Sequence, residues 1–280
     1  MNLAAALAKG DSEMGIRPRR VLLVDLDPRG NVATTFGIDK RSLGPTMNEL
    51  FKGGADEAPV PLERCLLHPA QLTVAMRESW RRHNPARKRG APKTIEVRNL
   101  WVLPADLDLS GVEIDLATRI GREHRLRLAL LQARGRFDVV IVDTPPSLGL
   151  LTINSLSAAE WVMIPIQAEF YSLEGMGQLL AMIKDVQRTI NPNLKMFGIA
   201  MTLVQGNSKL GEKVAERARG YFGDRVFETE IPRLVAIAES PLDGAPIVIS
   251  QKPNKSNPGS TAYWQLALEA SKRIEAIERS

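Results

Sequence analysis

The chain has 280 residues, enough to bury a sizeable core as one large domain or two modest ones, and no linker forces a division. Hydrophobic residues make up 44% and charged residues 25%, and 37 Lys+Arg against 32 Asp+Glu leave a net charge of +5, which permits an acidic partner such as nucleic acid without demanding one. The single cysteine, Cys65, excludes an internal disulfide and suits a reducing cytoplasm; scattered His68, His83 and His124 argue against zinc, and no apolar run approaches the roughly 18 residues of a membrane span. The opening "MNLAAALAKG" has too short an apolar part and no basic start for a signal peptide, so it reads as part of a helix.

In "VLLVDLDPRGNVATTFGI", residues 21–38, four apolar residues form a run of the kind that a strand buried on both faces shows, and the run ends in Asp25 and Asp27. Pro28, Gly30 and Asn31 then turn the chain, which puts the acids at the carboxyl edge of a sheet, where open α/β folds bind their ligands. Further strand-like runs fall at 99–105, 137–143, 161–167, 196–204 and 226–232, and segments of helical period lie at 111–134, 172–190 and 209–221. This alternation predicts a doubly wound α/β fold, a mostly parallel sheet with helices on both faces. The last segment, which begins after Pro258 and Gly259, predicts a packing helix with Ser260 or Thr261 as cap, and Met76 and Trp80 read as packing residues.

One stretch breaks the rhythm. "WRRHNPARKRGAPK", 80–93, carries Arg81, Arg82, Arg87, Lys88, Arg89 and Lys93 with no acid, two prolines and a glycine, and reads as an exposed basic insertion. It fits a contact with a phosphate backbone or a merely solvated loop, and composition does not choose between them.

"FDVVIVDTPPSLG", 137–149, repeats the earlier design: β-branched residues lead to Asp143, and Thr144, Pro145 and Pro146 stop the strand. A carboxylate at the end of a buried strand costs several kcal/mol unless it is paired or faces a cation. Taken singly, each stretch also fits plain turn chemistry; two strands ending this way imply a shared cation, a role that belongs to Mg²⁺ in phosphate-binding ATPases.

These residues carry a resemblance. "NLAAALA…RVLLVDLDPRGNVATTFGI", "FDVVIVDTPPSLGLLTINSLSAAEWVMIPIQAEFYSLEGMGQLL" and, more loosely, "VFETEIPRLVAIAESPLDGAPI" and "AYWQLALEA" resemble the ParA-type (Soj-like) partitioning ATPases of the deviant Walker family, which includes MinD. The likeness covers nearly the whole chain, 1–280, as a single P-loop NTPase-like domain apart from the insertion. It implies that Asp27 positions the attacking water, that Asp25 lies beside the metal, that Asp143 is the Walker B acid of the Mg²⁺ shell, and that Pro28, Thr144 and Pro232 border the bound ATP, with Pro232 at the adenine. It further implies a homodimer, non-specific DNA binding, a ParB-like centromere-binding activator, and a cytoplasmic, nucleoid-associated protein.

Family members begin with a strand and a Gly-rich K-G-G-x-G-K-[ST] loop ahead of the helix containing "NLAAALA"; here Met1 lies inside that helix, so the phosphate cradle is expected to be missing. "GGADEAP", 53–59, does not replace it. Either the sequence is truncated or its start misassigned, or the chain is a degenerate, non-hydrolysing adaptor that pairs with an intact ATPase. Two arginines associated with DNA binding in the family are replaced, by Asn207 and Ala236, which leaves Arg233 and the basic segment as DNA-contact candidates. Gln167 and Glu169 fall near the family's dimer interface or in a simple loop. The charged end "KRIEAIERS" argues against a MinD-like membrane helix, and the lone cysteine against the nitrogenase-reductase branch.

Overall fold

The structure is a computed structural model and describes residues 1–52, 60–85, 95–169, 172–206 and 209–279. Its main elements in chain order are α1 (Asn2–Lys9), β1 (Val21–Asp25), α2 (Asn31–Thr35), α3 (Pro69–His83), β2 (Leu100–Leu103), α4 (Leu109–Leu116), α5 (Arg125–Leu130), β3 (Val139–Asp143), α6 (Leu150–Ala158), β4 (Trp161–Gln167), α7 (Ser172–Thr189), β5 (Lys195–Thr202), α8 (Lys209–Phe222) and α9 (Pro258–Glu278); shorter helical turns intervene.

β1 runs parallel to β2 on one side and to β3 on the other, with Val21 opposite Leu100 and Val139, and Asp25 opposite Asp143. Its side chains alternate between two cores, which is why its apolar run is unbroken. Val21 and Leu23 join α1, Trp80, Val248 and Trp264 on one face, while Leu22 and Val24 join Phe51, Leu109, Leu126 and Leu151 on the other. Residues 21–24 are fully buried, each of the larger side chains worth about 1.5–3 kcal/mol. The predicted doubly wound arrangement is present, with parallel strands and helices around them.

The strands form two ladders rather than one: β2-β1-β3, and β4 paired in parallel with β5 over a bulge at Val162/Met163. β3 is thus an edge strand despite its sequence. Val139, Ile141 and Val142 are half-buried and Val140 is 40% exposed, whereas the neighbouring β1 shows no exposure. β4 and β5 have their own core, with Ile164, Ile166, Ile183, Ile199 and Met201. The terminal helix spans both parts. Trp264 and Ala267 of α9 enter the core under α1, while Ala262, Leu266 and Ala270 pack with Ala200 and Phe227 beside β5.

Several expectations are corrected. The 226–232 run makes only isolated parallel bridges, Val226 to Ile199 and Pro232 to Val204, because a proline without an N–H closes it. The 111–134 segment is not one helix: Gly121, at φ 67°, breaks it between α4 and α5. Its apolar pattern stays in register because both pieces face the same core. Residues 80–83 are the last turn of α3 rather than a loop, with Trp80 buried, and 86–94 lie outside the described residues. α9 starts one turn before the expected caps: Asn257 precedes Pro258 in the first turn, and Ser260 is buried and donates to the Gln251 carbonyl at 2.7 Å.

Candidate functional site

The register of β1 and β3 puts Asp25 and Asp143 directly opposite each other at the strand ends, and the next residue, Leu26, donates its N–H to the Asp143 carbonyl at 2.9 Å. In-register residues of neighbouring strands share a face, so the two carboxylates leave the ladder on the same side. The three acids then meet different surroundings.

Asp25 is fully buried, and its Oδ1 accepts from the Asp27 N–H at 3.0 Å while its Oδ2 accepts from the Val32 N–H at 3.2 Å. It ties the turn after β1 to the start of α2. Burial pushes its carboxyl up to about 7; the backbone donors oppose the shift, and the charges of Asp143 and Asp27 add to it. Asp27 is held below the usual carboxylate range, chiefly by the Arg29 guanidinium. Nε and Nη2 of Arg29 contact it at 2.6–3.1 Å. The half-buried Asp143 carboxylate accepts no hydrogen bond and forms no ion pair among the described residues.

The turn between Asp27 and α2 is rigid. Gly30 N–H donates to the Asp27 carbonyl at 2.8 Å, enclosing half-buried Pro28, and Gly30 sits at φ 59°, where a Cβ would lie 2.8 Å from the Ala105 carbonyl oxygen. Only glycine fits both the dihedral and the close approach. Lys40 closes the outer side by donating to the Arg29 carbonyl.

Among the described residues no three His, Cys, Asp or Glu side chains converge to ligate a metal directly. A hydrated Mg²⁺ fits better: Asp143 offers a carboxylate with no protein partner, able to accept from metal-bound water, while both oxygens of Asp25 are engaged by backbone N–H groups. Of the other predicted residues, Thr144 is exposed next to Asp143, at the turn into α6. Pro232 is half-buried and bridges to Val204, after the end of β5. It lines a groove of about 630 Å³ with Asp11, Val204, Glu230, Pro258 and Gln265, and none of the three carboxylates reaches that groove. Arg233 is exposed and pairs with Glu169 at 3.6 Å, which gives Glu169 a role that its sequence position left open. Arg81 and Arg82 are exposed in the last turn of α3, where cations complement the helix dipole. Arg87, Lys88 and Arg89 lie outside the described residues, as does Asn207.

Sequence reasoning missed Arg29. The signal was there in the Asp-x-Arg spacing of "DPRGN", which an Asx-type turn turns into an ion pair.

Fold and carboxylates together place the molecule among the parallel α/β nucleoside-triphosphatases of the P-loop class. A family profile described as an AAA domain matches residues 1–196. The chromosome partitioning protein ParA of Myxococcus xanthus is 38% identical over 98% of this chain and 82% of its own length. The chromosome-partitioning ATPase Soj of Thermus thermophilus is 37% identical over 98% and 90%. Among solved structures, cobyrinic acid a,c-diamide synthase of Mycobacterium smegmatis superposes with a TM-score of 0.68 at 32% identity, covering 95% of this chain and 84% of that one, and a further structure of that protein contains ADP and magnesium. MinD of Pyrococcus horikoshii, solved with Mg-ADP, superposes with a TM-score of 0.65 at 21% identity over 97% and 88%, a likeness of fold. The chain belongs to the ParA/Soj family of chromosome-partitioning ATPases.

Proposed function

We propose that this protein, as a single unit over residues 1–280, acts in ATP-dependent DNA segregation, binding Mg-ATP at the rim where β1 and β3 end. The observation that carries the reading is the in-register pair Asp25 and Asp143, with Asp27 in the adjoining turn, in a chain of this family. Mg²⁺, when bound with nucleotide, supplies the charge that neutralises the phosphates. Asp143 holds its water shell, Asp25 fixes the turn beside it, and Asp27 orients the attacking water; Pro28 and Thr144 border the nucleotide and Pro232 its base. The work of the site is positioning and charge stabilisation rather than covalent chemistry.

The described residues contain no Gly-rich phosphate cradle, and β3 is paired on one edge only among them. Dimerisation, a ParB-like activator and a nucleoid-associated cytoplasmic location follow from the family reading. Non-specific DNA is contacted by Arg81, Arg82 and Arg233 together with Arg87, Lys88 and Arg89, through counterion release.

The deciding experiment is Mg-ATP binding by the chain with Asp27→Ala and Asp143→Ala as controls. Saturable binding that Asp143→Ala abolishes supports the reading; no binding in the presence of an intact fold overturns it in favour of a nucleotide-free adaptor. Gel-shift affinity that is equal at low and high salt, or unchanged when Arg87, Lys88 and Arg89 become Ala, removes the DNA contact assigned to the basic segment.

A further inference from the structure

The Asp27 carboxylate is engaged almost entirely by Arg29. Its Oδ1 takes the Arg29 backbone N–H at 3.0 Å and Nε at 3.1 Å, and its Oδ2 takes Nε at 2.9 Å and Nη2 at 2.6 Å. These are three N–H groups of one residue, with the single Nε–H shared between the two oxygens, so they take up most of the roughly four lone-pair positions a carboxylate offers and compete with any water for this group. Release of Arg29 makes Asp27 more open to orienting a water.

The two partners are unequally held. The Asp27 side chain is 13% exposed on a turn locked by Gly30, while the Arg29 side chain is 64% exposed and leaves its second Nη without a partner among the described residues. Rotation of the exposed arginine side chain therefore frees Asp27 without moving the backbone, and it leaves a mostly buried carboxylate in need of another partner. Asp25 and Asp143 add to the negative field around the guanidinium. What outcompetes a carboxylate for the planar fork of an arginine is a more highly charged oxyanion of matching geometry, a phosphate above all.

On the reading that this rim takes Mg-ATP, we infer that Arg29 is a positioning residue that exchanges Asp27 for the terminal phosphates of the nucleotide, so that phosphate binding itself uncovers the water-orienting carboxylate. The chain contains its own control for this inference. Asp39 and Arg41 repeat the same spacing and contacts, Arg41 N–H to Asp39 Oδ1 at 3.0 Å and Nε to the same oxygen at 3.3 Å, as a far more exposed pair.

The test is a two-dimensional ¹H–¹⁵N spectrum of the arginine Nε–H groups in the full chain, with Arg29 assigned through Arg29→Lys and Arg41 through Arg41→Lys. Nucleotide occupancy is followed independently by fluorescence of a labelled ATP analogue. During titration with Mg-ATP, the Arg29 resonance is expected to shift in step with occupancy and the Arg41 resonance to stay, whereas AMP occupies the site without moving Arg29. Arg29→Gln is expected to weaken Mg-ATP about tenfold, the worth of one charge-assisted bidentate contact, to leave AMP affinity unchanged, and to be partly rescued by Arg29→Lys. Occupancy by Mg-ATP with an unmoved Arg29 resonance, or an equal shift with AMP, overturns the exchange while leaving the nucleotide site intact. Absence of occupancy at any Mg-ATP concentration overturns both.

Discussion

Asp25 and Asp143 stand opposite each other on adjacent strands, yet their substitution is expected to act in different ways. Asp143 is half-buried with no protein partner among the described residues, next to another acid. Asp143→Asn removes repulsion and no hydrogen bond, so the nucleotide-free protein is expected to keep its stability or gain up to about 1 kcal/mol in urea unfolding. Mg-ATP binding is expected to be lost in the same variant. Asp25 is a pH-dependent element of stability. Its folded-state pKa of about 7 lies above the ordinary carboxylate value, so between about pH 4 and 7 the folded state holds a proton that the unfolded state has released. Its contribution is therefore greatest at the acid end and falls as pH rises through this window. The urea midpoint is expected to drop from pH 5 to pH 8, and Asp25→Asn to flatten that drop while lowering stability at pH 5, because an amide matches only one of the two backbone donors. A drop that is equally steep in Asp25→Asn excludes Asp25 as its source. The acids were legible in sequence because each ends an apolar run; their partners were not, since the Val32 N–H reaches Asp25 only once α2 has folded back.

β1 and β3 read alike in sequence and differ in the structure. Both are short runs of β-branched and leucine residues ending in Asp, but β1 is paired on both edges and β3 on one. Leu22→Ala is expected to cost about 2–5 kcal/mol, as for a fully buried leucine, and Val140→Thr, at a 40% exposed position, no more than about 0.5 kcal/mol. Amide hydrogen exchange is expected to divide the strands in the same way: every other N–H of β3 faces the unpaired edge and exchanges well before the amides of β1. Uniform protection along β3 would mean that its edge is covered. Hydrophobic pattern identifies a strand that belongs inside a sheet; whether a neighbour is there is not written in the strand.

The ends of the chain are joined by charge. Arg19 is 1% exposed, donates from Nη1 to Ser271 Oγ at 2.8 Å, and lies 3.7 and 3.8 Å from Glu275 and Glu278 on α9; its Nε and Nη2 donate no hydrogen bond among the described residues. Neutralising both glutamates leaves a buried guanidinium without counter-charge, so Glu275→Gln with Glu278→Gln is expected to cost about 1–3 kcal/mol in urea unfolding. Arg19→Met is expected to be close to neutral, because it removes the charge along with the need to pair it. A double variant as stable as the parent would show that water, rather than α9, solvates Arg19. Around this contact α1 and α9 pack through Ala4, Ala5, Ala6, Trp264 and Ala267, small against large, so the last helix is part of the core that covers β1.

The amino-acid order by itself determined the fold class, the helical nature of the opening segment, the acids at two strand ends and the absence of any apolar stretch long enough to cross a membrane, because periodicity, composition and strand-end chemistry are local properties of the chain. The tertiary structure decided the rest. It divided the strands into two ladders, left β3 at an edge and turned Arg233 onto Glu169. Each of these depends on which distant surfaces meet, and on whether a charge finds its partner in the protein or in water; neither is encoded in the spacing of residues along one segment.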